Sequence, residues 1–163
     1  MKSSEFWPYA DRLILEAACP PITKIETFEA CGYVDKPWGH RLTFDTGSTA
    51  YVMWVFANPV GMARAPEGEP LAPVDLPSLA PSGNGYLVRD IEGWIAAVLV
   101  NGGSSQVKQV RRYSLGETSS TFYKVGLSVD FYSGAHACGM FVHTLRSGDQ
   151  PMAHREHQVA ERI

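Results

Sequence analysis

The side chains best suited to chemistry lie close together in the run FYSGAHACGMFVH: His136, Cys138 and His143. Side chains alternate along an extended strand, so His136 and Cys138 share one side and lie within reach of each other. A thiol beside an imidazole is the pairing that activates a cysteine nucleophile, provided a third group orients the ring. Nothing in the sequence names that third group. His143 closes the same run, where a titratable ring serves either as a packed core histidine or as a ligand-binding or acid–base group. These three residues are the candidates for catalysis or small-molecule binding, set against a reading as ordinary buried side chains.

Two further histidines, His154 and His157, are three apart and would share a face if the C-terminal run HREHQVAERI were helical. Zinc needs three or four convergent ligands, and this pair lacks the HExxH order, so no metal and no cofactor is expected. Lys108, Arg111 and Arg112 form a short basic cluster near Lys124, which reads more readily as edge protection of a strand than as a phosphate-binding track. The runs NGG and SGNG are not followed by the Lys-Ser or Lys-Thr of a phosphate loop, and read as turns. The acidic residues are scattered, with no pair spaced for glycosidase or two-metal chemistry.

Composition narrows the class without naming a function. The 163 residues are 45% hydrophobic and 19% charged, with a formal net charge of -3. A mildly acidic globular chain gives no general attraction to nucleic acid, so a nucleic-acid partner is not expected. The N-terminal apolar stretch is interrupted by Asp11, Arg12 and Glu16, and no run is long and apolar enough to span a bilayer. The expectation is a cytoplasmic protein without a membrane partner, a virion or other intracellular assembly being one setting for it. Cys19, Cys31 and Cys138 are odd in number and widely spaced, which points to free thiols.

The elements that must position these groups show an internal pattern. FDTGSTAYVMWVF aligns with FYSGAHACGMFVH so that Phe44 meets Phe131, Gly47 meets Gly134, Ala50 meets Ala137, Met53 meets Met140 and Val55 meets Val142. Each run reads as a hairpin with a glycine-containing turn. Upstream of each comes another strand: Ile22, Ile25 and Phe28 answer Val107, Val110 and Tyr113. The alternation of Tyr123, Val125, Leu127, Val129 and Phe131 marks a further strand leading into the second turn. Before each group a helix is expected, from near Pro8 to Ala18 and from about Asp90, acting as cap, to Val100.

The fold class read from this pattern is α+β. Pseudo-duplicated helix-strand-strand-strand units form a largely antiparallel sheet of about six strands with two covering helices. Residues 1–57 and 86–148 are the halves of a single domain, 58–85 a proline-rich connector, and 149–163 a terminal segment read as helical from near Met152 or Ala153. The connector carries Pro59, Pro66, Pro70, Pro73, Pro77 and Pro81, and acts either as a crossover or as an arm laid on a partner.

Strand Thr49 to Phe56 is apolar on both faces, with Tyr51, Met53 and Val55 opposite Val52, Trp54 and Phe56. Two helices cover only one face, so the other needs the connector, another layer or another subunit. The functional expectation is a noncatalytic interaction or assembly subunit, a homo-oligomer or a component of a larger particle. Its interaction residues would be Trp54, Phe56, Leu71, Val74, Leu76, Leu79 and Phe141. The alternative is a small enzyme or ligand-binding protein with a site between the halves near His136, Cys138 and His143.

Overall fold

Phe6, Ala10 and Ile14 recur at four-residue spacing and form the buried stripe of the first helix, α1 (Ser3–Glu16). The computed structural model describes residues 1–58, 66–117, 123–152 and 155–163. Helix α1 starts before Pro8, because the Glu5 carboxylate accepts the Lys2 backbone N–H at 2.7 Å and anchors an earlier first turn. Pro8 leaves the Ser4 carbonyl without its helical donor, but Ser4 is exposed and water can satisfy it.

The first three strands follow as β1 (Ile22–Thr27), β2 (Gly39–Phe44) and β3 (Thr49–Ala57). Helix α2 (Val88–Val100) is buried on nearly every side, which explains why its apolar residues show no clean stripe. Its start is not capped by Asp90. The Val88 N–H is satisfied instead by the Glu161 carbonyl at 3.0 Å, so the C-terminal tail does the work expected of a capping side chain. Then come β4 (Val107–Arg112), a short turn of helix at Tyr113–Leu115, β5 (Gly126–Phe131) and β6 (His136–Leu145).

The chain is α+β: six strands in the order β1-β2-β3-β6-β5-β4, every neighbouring pair antiparallel, with both helices on one face. Leu42, Phe44, Val52, Trp54, Leu127, Val129, Phe131 and Phe141 project from the sheet into the core beneath Phe6, Ile14, Ile91, Trp94 and Ile95. At roughly 1.5 to 3 kcal/mol for each large apolar side chain fully buried, this layer is the main stabilising contact of the fold. The β2–β3 and β5–β6 turns close alike. Gly47 donates to Phe44 O and Gly134 to Phe131 O, each at 2.9 Å, with φ near +78° and +79°, values that disfavour a side chain. Phe44 receives the pairing of Ile22, and Phe131 that of Val107; each outer pair then shifts register within two residues.

The connector, where described, is strapped to its own body. The Asn101 side-chain amide meets Val74 twice, accepting from its N–H and donating to its carbonyl, both at 2.8 Å. Gly68 donates to Ser105 O at 2.8 Å, Leu79 is buried, and Leu71 packs against the core. This crossover lies on the helix side and gives no cover to the opposite face of the sheet. Pro59 falls outside the described residues.

Among its described residues the tail forms no α-helix. It makes one short turn near Arg155–His157 and then runs extended. The reason lies in β6, which continues to Leu145 although β5 pairs with it only as far as Gly126 opposite Met140. The freed edge needs donors, and the tail supplies them: His157 N–H to Val142 O at 2.8 Å, and Ala160 N–H to Thr144 Oγ1 at 2.8 Å. Beyond it, Tyr86 and Ile163 exchange two backbone bonds.

Candidate functional site

The face opposite the helices holds all three residues singled out for chemistry. One register irregularity divides it. Tyr51 pairs with His143 while Val52 pairs with Phe141, so Val142 is an extra residue, a β-bulge. Sequence alignment matches His143 to Phe56, on the core side; the bulge instead turns His143 onto the face of Tyr51. There it is buried within an aromatic cluster, edge-on to both Tyr33 and Tyr51 with ring centroids 5.8 Å away, and Phe28 packs on Tyr33 at 4.7 Å. Thus the segment between β1 and β2, which carries Phe28 and Tyr33, covers this half of the face.

His143 Nε2 lies 3.1 Å from the Tyr33 hydroxyl. Burial lowers the pKa of the imidazole, outweighing the opposing pull of Glu156, and burial likewise pushes the Tyr33 phenol up to about 12. The pair is therefore a neutral ring beside a protonated phenol. Glu156, the nearest acid in electrostatic effect, is held by Lys36 at 2.8 Å. His143 also lines a cavity of about 250 Å³ with Thr144, Asp149, Arg155 and Gln158, but its Nε2 is taken up by the Tyr33 hydroxyl, as in a satisfied core histidine.

On the other half of the face Cys138 is partly exposed and His136 exposed. The Tyr113 hydroxyl faces the thiol, and its pKa is raised first by burial and then by the neighbouring Cys138. Arg111 reaches both oxygens of Asp130, at 3.1 and 2.8 Å, on the strand beside them. The Cys138 thiol thus meets a phenol, where nucleophilic chemistry needs a base.

His157 is fixed by the bulge backbone, its Nδ1 donating to Phe141 O at 3.1 Å, and its ring packs on Tyr123. His154 lies outside the described residues, so the pairing of the two cannot be placed on a helical face. Among the described residues no group of three or more His, Cys, Asp or Glu side chains could hold a metal, and no helix is long and apolar enough to cross a membrane. All three cysteines are free.

Of the residues expected to meet a partner, Trp54, Leu79 and Phe141 are buried in the chain's own core, and Phe56 and Leu71 pack against it. Val74 and Leu76 remain about half exposed, at 47% and 46%. Trp54 lies flat on its cross-strand neighbour Gly139, where a Cβ would come within 2.7 Å of the ring.

Two buried polar constructions escaped sequence reasoning. The Trp54 indole N–H donates to His40 Nδ1 at 3.1 Å, while His40 Nε2 sits 2.9 Å from Asp11 Oδ1. An indole only donates, so Nδ1 must accept and the His40 proton sits on Nε2, toward Asp11. The second is Glu92, fully buried on α2. Its carboxylate accepts from Gly126 N at 2.8 Å, Ser114 N at 3.1 Å, Arg112 Nε at 3.0 Å and the Ser114 hydroxyl. Each ties a helix to the sheet, Asp11 on α1 to β2 and β3, and Glu92 on α2 to β4 and β5.

Together these features define an α+β domain with a helix-covered face and a half-covered face. Comparison with protein-family models, curated proteins and solved structures finds no match for the chain. The site geometry therefore carries the functional reading.

Proposed function

We propose that this chain is a noncatalytic protein-interaction subunit that self-associates through the open half of the sheet face opposite its helices. The observation carrying the reading is Val55, 46% exposed near the middle of that face, with partly exposed Met53, Met140 and Cys138 around it on the central strands. An apolar centre on an uncovered sheet is a surface that another protein layer would bury.

The charges that flank this centre favour a second copy as the occupant. Lys24 and Arg41 both pair with Glu26 on one side, and Arg111 pairs with Asp130 on the other. With these charges closed within the chain, two identical faces meet without an unpaired like-charge contact, and an isologous contact needs only one self-complementary patch. The catalytic alternative at His136, Cys138 and His143 lacks such support, because the β6 bulge gives His143 to Tyr33 while Cys138 meets Tyr113.

We further infer that the two halves are copies of one unit, which would place Met53 and Met140 at a pseudo-two-fold axis. What supports this is the order β1-β2-β3-β6-β5-β4, the matching turn bonds of Gly47 and Gly134, and the register shifts in the two outer strand pairs.

Light scattering coupled to size exclusion tests the function across a micromolar concentration series. The wild type is expected to self-associate, and Val55→Asp to be monomeric with an unchanged thermal melt. Growth beyond a dimer would extend the reading to a larger assembly, a virion included. A wild-type chain that stays monomeric throughout would remove the self-association reading.

A further inference from the structure

Away from the sheet face, at the end of the sheet where the β2–β3 turn lies, a cavity of about 300 Å³ is bounded by Thr46, Ser48, Asn84, Arg146, Ser147 and Arg162. Ile163 completes the lining, its main-chain carbonyl accepting from the Tyr86 N–H at 2.6 Å, and the side chains around the cavity include two guanidinium groups and no acid. Arg41, Arg111 and Arg112 each have a carboxylate within ion-pair distance. Neither Arg146 nor Arg162 has one among the described residues, although both face the same small volume. Asp45, next to the cavity, has its Oδ1 engaged by the Tyr86 hydroxyl at 2.9 Å.

The walls are built from tied segments. Gly47 packs so closely on the residue after Arg146 that a Cβ there would lie 2.6 Å from Ser147 Oγ. The Arg162 guanidinium lies over the Ser82–Gly85 turn, where a Cβ on Gly83 would come within 2.9 Å of Nη1. Its backbone is held by the bridge to Leu87 and by the two bonds between Ile163 and Tyr86. Ser48 is buried, and its hydroxyl lies 2.7 Å from that of Thr46. Two hydroxyls that share one hydrogen bond retain one proton to donate elsewhere. Two guanidinium groups, a hydroxyl donor and the Asn84 amide around one cavity match the oxygens of a tetrahedral oxyanion.

We propose that this cavity binds a small phosphate-class ligand, free phosphate or the phosphate of a soluble monoester, between Arg146 and Arg162. It stands apart from the self-association face and does not depend on it.

Amide chemical shifts of the full chain, followed during titration with inorganic phosphate against sodium chloride at matched ionic strength, test the assignment. Saturable shifts confined to Gly47, Ser48, Asn84 and Ser147 are expected with phosphate, with affinity at least about tenfold weaker in Arg146→Gln/Arg162→Gln. Both side chains belong to exposed residues, so the double variant should melt as the wild type does; if it does not, each single variant is read in its place. Non-saturating shifts, equal shifts with chloride, or undiminished binding in the variants would overturn the site. Binding to phosphatidic-acid vesicles without a response to inorganic phosphate would overturn the assignment to a small soluble ligand.

Discussion

Replacing Glu92 tests how the layers are joined. In Glu92→Ala the Arg112 guanidinium loses its buried counter-charge, and the backbone N–H groups of Ser114 and Gly126 lose their acceptor. Breaking a buried pair from one side costs about 3 to 5 kcal/mol, and each orphaned buried donor about 1 to 3 kcal/mol. These costs overlap, because Arg112 is 27% exposed and keeps its bond to Arg89 O, so water recovers part of the loss. The expected net is about 3 to 5 kcal/mol, roughly a fifth or more of the stability of an ordinary domain of about 5 to 15 kcal/mol. Glu92→Gln keeps an oxygen for the backbone donors while losing the charge, so it should fall between wild type and alanine. Urea unfolding followed by far-UV circular dichroism measures both. A cost below about 1 kcal/mol for the alanine variant would refute the claim that this carboxylate joins α2 to β4 and β5.

Trp54→Ala should destabilise by about 3 to 5 kcal/mol through the cavity left over Gly139, while Trp54→Phe loses chiefly the bond to His40 and should cost about 1 to 2 kcal/mol, both read by the same unfolding assay. Burial lowers the His143 pKa, so below about pH 6.5 the unfolded chain takes up the proton first and stability falls until the folded pKa is passed. His143→Gln should flatten that acid-side decline in midpoint against pH, and a slope identical to wild type would refute the assignment. Asn101→Ala should release the connector at Val74, raising amide hydrogen exchange from residues 71–79 more than in α2.

Local pattern located the strands, although the one expected from Tyr123 begins at Gly126, and it was insufficient for the polar groups. Leu42 and Phe44 alternate with Arg41 and Thr43, and Leu127, Val129 and Phe131 with Ser128 and Asp130, and these core faces survive folding; Val52 and Trp54 lie on a strand apolar on both sides, so alternation did not single them out. His40 gave no such signal: its partners Asp11 and Trp54 belong to α1 and β3, and only packing of helix on sheet brings them together. Glu92 gave no signal either, because its partner Arg112 reaches it only from β4. The charged run HREHQVAERI favours a helix by composition, but an unpaired β6 edge offers bonds that outweigh local propensity. Leu79 was legible as apolar and in need of cover, although its cover is the chain's own core.

The bulge at Val142 explains why one sheet face is both closed and open. Beyond it, toward Leu145, His143 and Tyr51 present aromatic rings on which Phe28 and Tyr33 can close, while the extra residue offers a carbonyl that draws His157 and the tail across the same edge. Before it, from His136 to Met140, strict alternation keeps β6 paired on both sides, so no backbone group there recruits a covering segment. Val55 stays half-exposed and Met140 partly so because the backbone beneath them is already satisfied, rather than because apolar cover would be unfavourable, while Met53 gains partial cover from the Phe28 cluster. The hydrophobic gain still available at that centre can therefore be collected only by an approaching side-chain surface, whereas an added strand would find no free hydrogen bonds there.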